Sequence, residues 1–271
     1  MNAPLNALAL YGRYVATSLR AQAQYPAATL MLTAGHFAAT AIEFLGVYAL
    51  FNRFGSVGGW SLGEAALFYA LVNIMFAIAD LLTRGFDVFG TDFVRTGAFD
   101  RLLLRPRSTV LQLIGHEVRL SRLGRLLQAF AVLVLATSLV PIAWDAATVA
   151  IAVWAVAGGV ALFAGLLVLQ ATLAFWTVES LEIMNVLTYG GVQAAQYPLN
   201  IYAEWFRKVL TFGVPLACVA YYPVVAILKR PDPLGAPDWL LPLTPLAGFA
   251  FLALALLAWR AGMARYSSTG S

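Results

Sequence analysis

Long apolar runs separated by short charged intervals organise this chain. The first run covers 26–51, the second 65–83, and a third follows a basic interval at 123–140. Pro141 to Asp145 forms a short turn before a fourth run at 146–176, roughly 45 Å long as helix at 1.5 Å per residue. That exceeds the hydrocarbon core of a bilayer, about 30 Å, so its end is expected to project beyond the membrane. A last run occupies 240–261. Runs of about 20 apolar residues are what a membrane-crossing helix requires.

Between Glu179 and Arg230 the pattern loses regularity. The segment 181–196 is apolar but short, and it contains Gly190-Gly191. Pro198 breaks it, Glu204, Arg207 and Lys208 add charge, and Pro215 and Pro223 split the next apolar stretch. Two arrangements fit. One is a single span at 209–228 preceded by an interfacial segment. The other is a span at 181–196 followed by a re-entrant hairpin over 204–228. Broken backbone at membrane depth is tolerated only where protein or a cavity surrounds it. Both arrangements give six spans. Ahead of them, Leu5, Leu8, Val15 and Leu19 fall near one helical face of 3–22, with Arg13 and Arg20 on another. An amphipathic helix on the membrane surface fits this segment; a frayed tail is the alternative.

Composition agrees with the pattern. Hydrophobic residues make up 61% of the chain and charged ones 11%, against about 45–50% and 25% in globular domains. Mean hydropathy is +0.80. The expected fold is an all-α integral membrane protein with six transmembrane helices in a single domain over 1–271. No cleavable signal is expected, because Arg13 and Arg20 precede Pro26 and the following run is too long. Cys218 is the only cysteine, which excludes an intrachain disulfide or a cysteine metal cluster.

Charge then sets orientation. Eight of the seventeen Lys and Arg residues lie from Arg84 to Arg125. With both termini inside, the cytoplasmic side holds these eight plus Arg13, Arg20, Arg260 and Arg265, leaving Arg53, Arg207, Lys208, Lys229 and Arg230 outside. The positive-inside bias favours this orientation. The net charge of +4 sits beside apolar spans, so anionic lipid headgroups explain it better than nucleic acid does.

Few groups offer chemistry. His36 and Glu43, seven apart, share a face of the first span. An ionisable pair at that depth either serves a pathway or bonds a neighbouring helix. Asp80 and Arg84 are spaced for a local ion pair. Glu179 and Glu182 are placed to orient the return into the next span. Gly158, Gly159, Ala161 and Gly165 permit close helix packing. The sequence has no G-x-x-x-x-G-K-[ST] and no H-E-x-x-H motif, so nucleotide binding and metal-dependent hydrolysis are not expected of this chain.

The basic interval contains a candidate helix. Thr96-Gly97 caps Phe99, Asp100, Leu102, Leu103 and Leu104, and Pro106 terminates them. Bulky apolar residues among charges suit docking into a groove of another protein, or skimming the membrane. A second amphipathic stretch, 111–127, carries Arg119, Arg122 and Arg125.

Several segments together carry a resemblance. They are Gly97-Ala98-Phe99-Asp100-Arg101-Leu102-Leu103-Leu104-Arg105-Pro106, Phe175-Trp176-Thr177, and Gln196-Tyr197-Pro198-Leu199 with Ile201-Tyr202. Val214-Pro215-Leu216-Ala217 and Tyr221-Tyr222-Pro223 complete the set. In this order the chain resembles, over nearly its whole length, permeases of the type-two ABC exporter class, especially the bacterial branch with two related permeases and a separate ATPase. The resemblance implies that 3–22 is an interface helix and 96–106 a coupling helix seated on a cytoplasmic ATPase dimer. Gly97, Phe99, Asp100, Arg101, Leu102, Leu103, Arg105 and Pro106 would be its working residues, with Phe99, Leu102 and Leu103 as apolar anchors. It also favours the re-entrant arrangement, with breaks at Pro198, Pro215 and Pro223. ATP and Mg would be held by the partner ATPase and no cofactor by this chain. A second permease, related rather than identical, would complete the pathway in a bacterial inner membrane, for export of an amphipathic or hydrophobic substrate. A stand-alone secondary transporter or channel, and a scaffold recruiting a non-ATPase partner, are the competing functions.

Overall fold

The computed structural model describes residues 7–177 and 181–266. The expectations for Leu5 and Glu179 fall outside these residues, as do those for the side chains of Leu8 and Glu182. The helices are α1 Ala7–Ala23, α2 Pro26–Phe54, α3 Leu62–Asp87, α4 Ala98–Leu103, α5 Thr109–Ile114 and α6 Leu123–Leu139. They continue as α7 Ala146–Leu173, α8 Leu181–Ala195, α9 Glu204–Lys208, α10 Leu216–Val219, α11 Tyr221–Ile227 and α12 Leu246–Met263. Among the described residues there is no strand beyond an isolated bridge between Val57 and Trp60. Five helices, α2, α3, α6, α7 and α12, are long and apolar enough to cross a membrane. The molecule is an all-α, multi-pass membrane protein.

The axis of the bundle is α3, with 83% of its apolar window buried against 17% for α2. It begins at a capping box, in which the Glu64 carboxylate accepts the Ser61 backbone N–H at 2.7 Å and Ser61 Oγ accepts from Glu64 N. Helix α7 begins where Asp145 Oδ1 accepts the Thr148 N–H at 2.8 Å. Within α3, Thr83 departs from helical geometry at φ −123° while its hydroxyl bonds back to the Ala79 carbonyl, a bond that bends helices. Beyond Asp87 the chain continues as a π-helical turn, Phe89–Val94.

Inside a bilayer, close van der Waals contact holds helices together more than burial does. A methyl group on Gly248 of α12 would overlap the Gly158 carbonyl of α7, and one on Gly85 of α3 would overlap the Leu113 carbonyl of α5. These backbones touch because only glycine leaves room.

Two ends of the bundle can be told apart. At the basic end, Ser18 of α1 donates to the Val118 carbonyl at 2.9 Å, and Gln22 Oε1 accepts from Leu120 N at 2.8 Å. This lays α1 along the loop with Arg13 and Arg20 exposed. Thr109 contacts the Met263 sulfur at 3.1 Å, bringing the C-terminal end of α12 to the same place. The amphipathic stretch 111–127 is not one helix. Gly115, packed on the Tyr14 ring, caps α5, and non-helical chain leads to a 3-10 turn at Leu120–Arg122 before α6.

The opposite end decides between the two arrangements of 181–228. Asn200 donates to the Gly58 carbonyl at 3.0 Å and accepts from Trp60 Nε1 at 2.8 Å. Arg230 donates to the neighbouring Gly59 carbonyl at 3.1 Å, pairs with Glu64 at 3.0 Å and stacks over the Trp60 ring. The chain therefore leaves one turn and returns to it. Between these anchors lie two limbs, Glu204–Gly213 and Leu216–Ile227, bent by 73°. The bend and the shared turn fit the re-entrant arrangement, with α8 leading to it from the end of α7. Pro215 sits at the bend and Pro198 precedes a 3-10 turn. Pro223 is not a break: it lies in the first turn of α11, where a missing N–H is tolerated, and the interruption is at Ala220.

Candidate coupling surface

Helix α4 opens at Gly97, whose φ of 66° is the left-handed conformation glycine adopts without strain. Six residues cannot hold a helix in water unaided, so packing must hold this one. Phe99 is fully buried and Leu102 nearly so. The Phe99 ring meets Phe89 at 4.9 Å, Tyr266 at 5.0 Å and Phe175 at 5.5 Å between centroids. Trp259 of α12 in turn packs on Phe86 and Phe89. Most of these pairs are edge-to-face, the favoured geometry for aromatic rings. The aromatic cluster ties α4 to the ends of α3, α7 and α12.

This corrects the expectation that Phe99 and Leu102 are apolar anchors on a partner. Their side chains fill the chain's own core, because α4 presents its i and i+3 positions inward. The face turned outward carries Arg101, Leu103, Leu104, Arg105 and Pro106, with Leu103 46% and Leu104 85% exposed. Asp100 is half-buried. Its carboxylate, after burial itself, pushes the Tyr266 hydroxyl pKa up. The end of α4 is fixed by Gln112, whose buried amide donates to the carbonyls of Leu102 and Arg107, each at 3.2 Å. Gln112 was not legible beforehand; its signal was a lone amide on the apolar side of a short helix.

Behind this surface lies a network of opposite charges. Arg122 meets Asp80 at 3.0 Å, Arg84 meets Asp80 at 3.6 Å and also pairs with Asp87, and Gln170 of α7 donates to Asp87 at 3.1 Å. The expected Asp80–Arg84 pair is present, but it is one edge of a network joining α3, the turn before α6, and α7. Two acids and two arginines balance, which a low-dielectric site requires. Glu43 lies 3.8 Å from Arg125 of α6, and that guanidinium also stacks 4.9 Å above the Phe76 ring. Glu43 thus makes an interhelical contact with Arg125. His36 is half-buried in α2, where its carbonyl accepts the Thr40 hydroxyl at 3.0 Å. Among the described residues, no group of three or more His, Cys, Asp or Glu side chains is placed to hold a metal.

The short helix α4 is thus packed on residues at the ends of three long helices, α3, α7 and α12. The family model for ABC-2 family transporter proteins matches residues 37–270, which include α4, the charge network and the re-entrant limbs. The chain belongs to the ABC-2 transporter family. No match was found among curated proteins or among solved structures. Membership of the family implies an ABC ATPase partner in general terms, and in this permease the surface around α4 is where the basic interval is most exposed.

Proposed function

We propose that this permease is the transmembrane subunit of an ATP-driven exporter whose ATPase is a separate chain. The observation that supports it best is the two-sided character of α4. Its outer face offers Leu103 and Leu104 between Arg101 and Arg105, while its inner face is locked into α3, α7 and α12. Asp100, Arg101, Arg105 and Pro106 border the contact, and Gly97 sets its entry angle. Closure of an ATPase dimer on ATP and Mg would push this helix, and the aromatic cluster would pass the push to three spans. Nucleotide can shift the equilibrium only through its differential affinity for the closed state. The permease itself holds no nucleotide and performs no chemistry.

The basic end faces the cytoplasm of a bacterium across its inner membrane, which satisfies the positive-inside bias. Helix α8 exposes Val186 and Tyr189, a face available to a second permease, which we take to be a related chain. The cargo is amphipathic or hydrophobic. Affinity capture of the tagged full-length chain from its own membranes tests the reading. An ABC ATPase should co-purify in stoichiometric amount. Solute movement by the purified permease alone, with no ATPase captured, would instead establish a secondary transporter or channel.

A further inference from the structure

Two recesses adjoin at α5 and α12 near the basic end. The first, about 500 Å³, is walled by Leu82, Phe86, Ala161, Val168, Leu252 and Leu256. The other, about 770 Å³, opens at the end of α12 between Arg107, Ser108 and Arg260, beside Leu103. Val110 and Leu256 line both, so the two adjoin and give a grooved face that is largely apolar at the first recess and edged by Arg107 and Arg260 at the second. Arg107, Ser108 and Arg260 are exposed.

We propose that this groove binds an anionic glycerophospholipid from the leaflet at the basic end. One acyl chain would lie in the apolar recess and the phosphate would sit between Arg107 and Arg260. The apolar part is walled by membrane-crossing helices, so it lies at acyl-chain depth, and the mouth lies where the spans end. The other occupant of such a recess is a helix of a second copy, but an apolar helix face would bring no anion to Arg107 and Arg260. The arginine pair supplies the selectivity, because apolar contact gains nothing over bulk lipid in a bilayer, whereas each arginine near a membrane surface favours anionic lipid about fivefold. The phosphate would then lie next to Leu103, so lipid composition would bear on the coupling surface. The inference rests on membrane placement alone and stands whether or not an ATPase is captured.

Native mass spectrometry of the full-length protein, titrated with phosphatidylglycerol or with phosphatidylcholine of the same chains, tests it. One tightly held phosphatidylglycerol is expected, preferred by roughly thirtyfold, the product of two such arginine contributions. The variant Arg107→Gln/Arg260→Gln should lose the preference, Arg107→Lys/Arg260→Lys should keep most of it, and Ala161→Trp should weaken binding of both lipids. Arg53→Gln, at the opposite end, should behave as wild type. Equal affinity of wild type for the two lipids overturns the proposal. So does an equal loss in Arg53→Gln, which would mean diffuse electrostatic attraction. Cross-linking of Ala161→Cys to a second copy, with no lipid retained, would also overturn it.

Discussion

Replacing Phe99 by alanine tests whether the aromatic cluster is what holds α4. The ring is fully buried against Phe89, Phe175, Trp259 and Tyr266, with its closest centroid at 4.9 Å. Truncating such a ring costs about 3–5 kcal/mol in a packed core, and lost edge-to-face pairs add about 0.5–1.5 kcal/mol each. The spans have their own contacts, so the cost falls on α4, which has few. Backbone amides from 98 to 105 should lose protection in hydrogen exchange by a hundredfold or more, as a drop of about 3 kcal/mol in local opening free energy requires. Amides in α3 before the Thr83 kink should be unchanged. Exchange mass spectrometry on the protein in nanodiscs reads both regions at once. If 98–105 exchange as in wild type, the rings do not hold the helix and the mechanical argument fails at its first link.

Two further outcomes follow from the charges. Asp80→Ala leaves Arg122 and Arg84 buried without their shared acid, which costs about 3–5 kcal/mol in buried pairs. The thermal midpoint should drop clearly, and Arg122→Met in the same chain should recover part of the loss; strictly additive effects would show the two do not interact. The Asp145 carboxyl is held down to about 2, first by its hydrogen bonds from Thr148 and then by that from Lys229. A depressed pKa in the folded state means the cap is fully present above the ordinary carboxylate range and is lost as pH falls through it toward 2. Thr148 amide exchange, corrected for intrinsic pH dependence, should therefore accelerate below about pH 4; no change down to pH 2 would remove the capping role.

Much of the fold was legible because the bilayer constrains it so strongly. The apolar runs beginning at Pro26, Leu123 and Ala146 coincide with α2, α6 and α7, since each starts at a turn, a basic boundary or an Asp cap. The re-entrant limbs were visible only as an ambiguity. Pro215 signals a break but not its direction, which depends on Asn200 and Arg230 reaching one turn from far apart in sequence. The sense in which α4 faces was not legible either. Phe99, Leu102 and Leu103 read alike as bulky apolar residues, and only the rings of Phe175, Trp259 and Tyr266 turn the first two inward. Likewise, Asp80 and Arg84 announce a pair, whereas Arg122 and Gln170 join it through tertiary contacts that spacing cannot encode.

In the proposed exporter the outward face of α4 seats on an ATPase. Leu103 and Leu104 are 46% and 85% exposed, and covering what they expose would contribute about 2–4 kcal/mol at about 1.5–3 kcal/mol per fully buried leucine. The decisive measurement is the amount of ATPase retained on the captured permease carrying Leu103→Asp/Leu104→Asp, titrated against wild type. The account predicts at least a thirtyfold loss of affinity, with the thermal midpoint of the permease itself unchanged. Wild-type retention of the ATPase by that variant would contradict it.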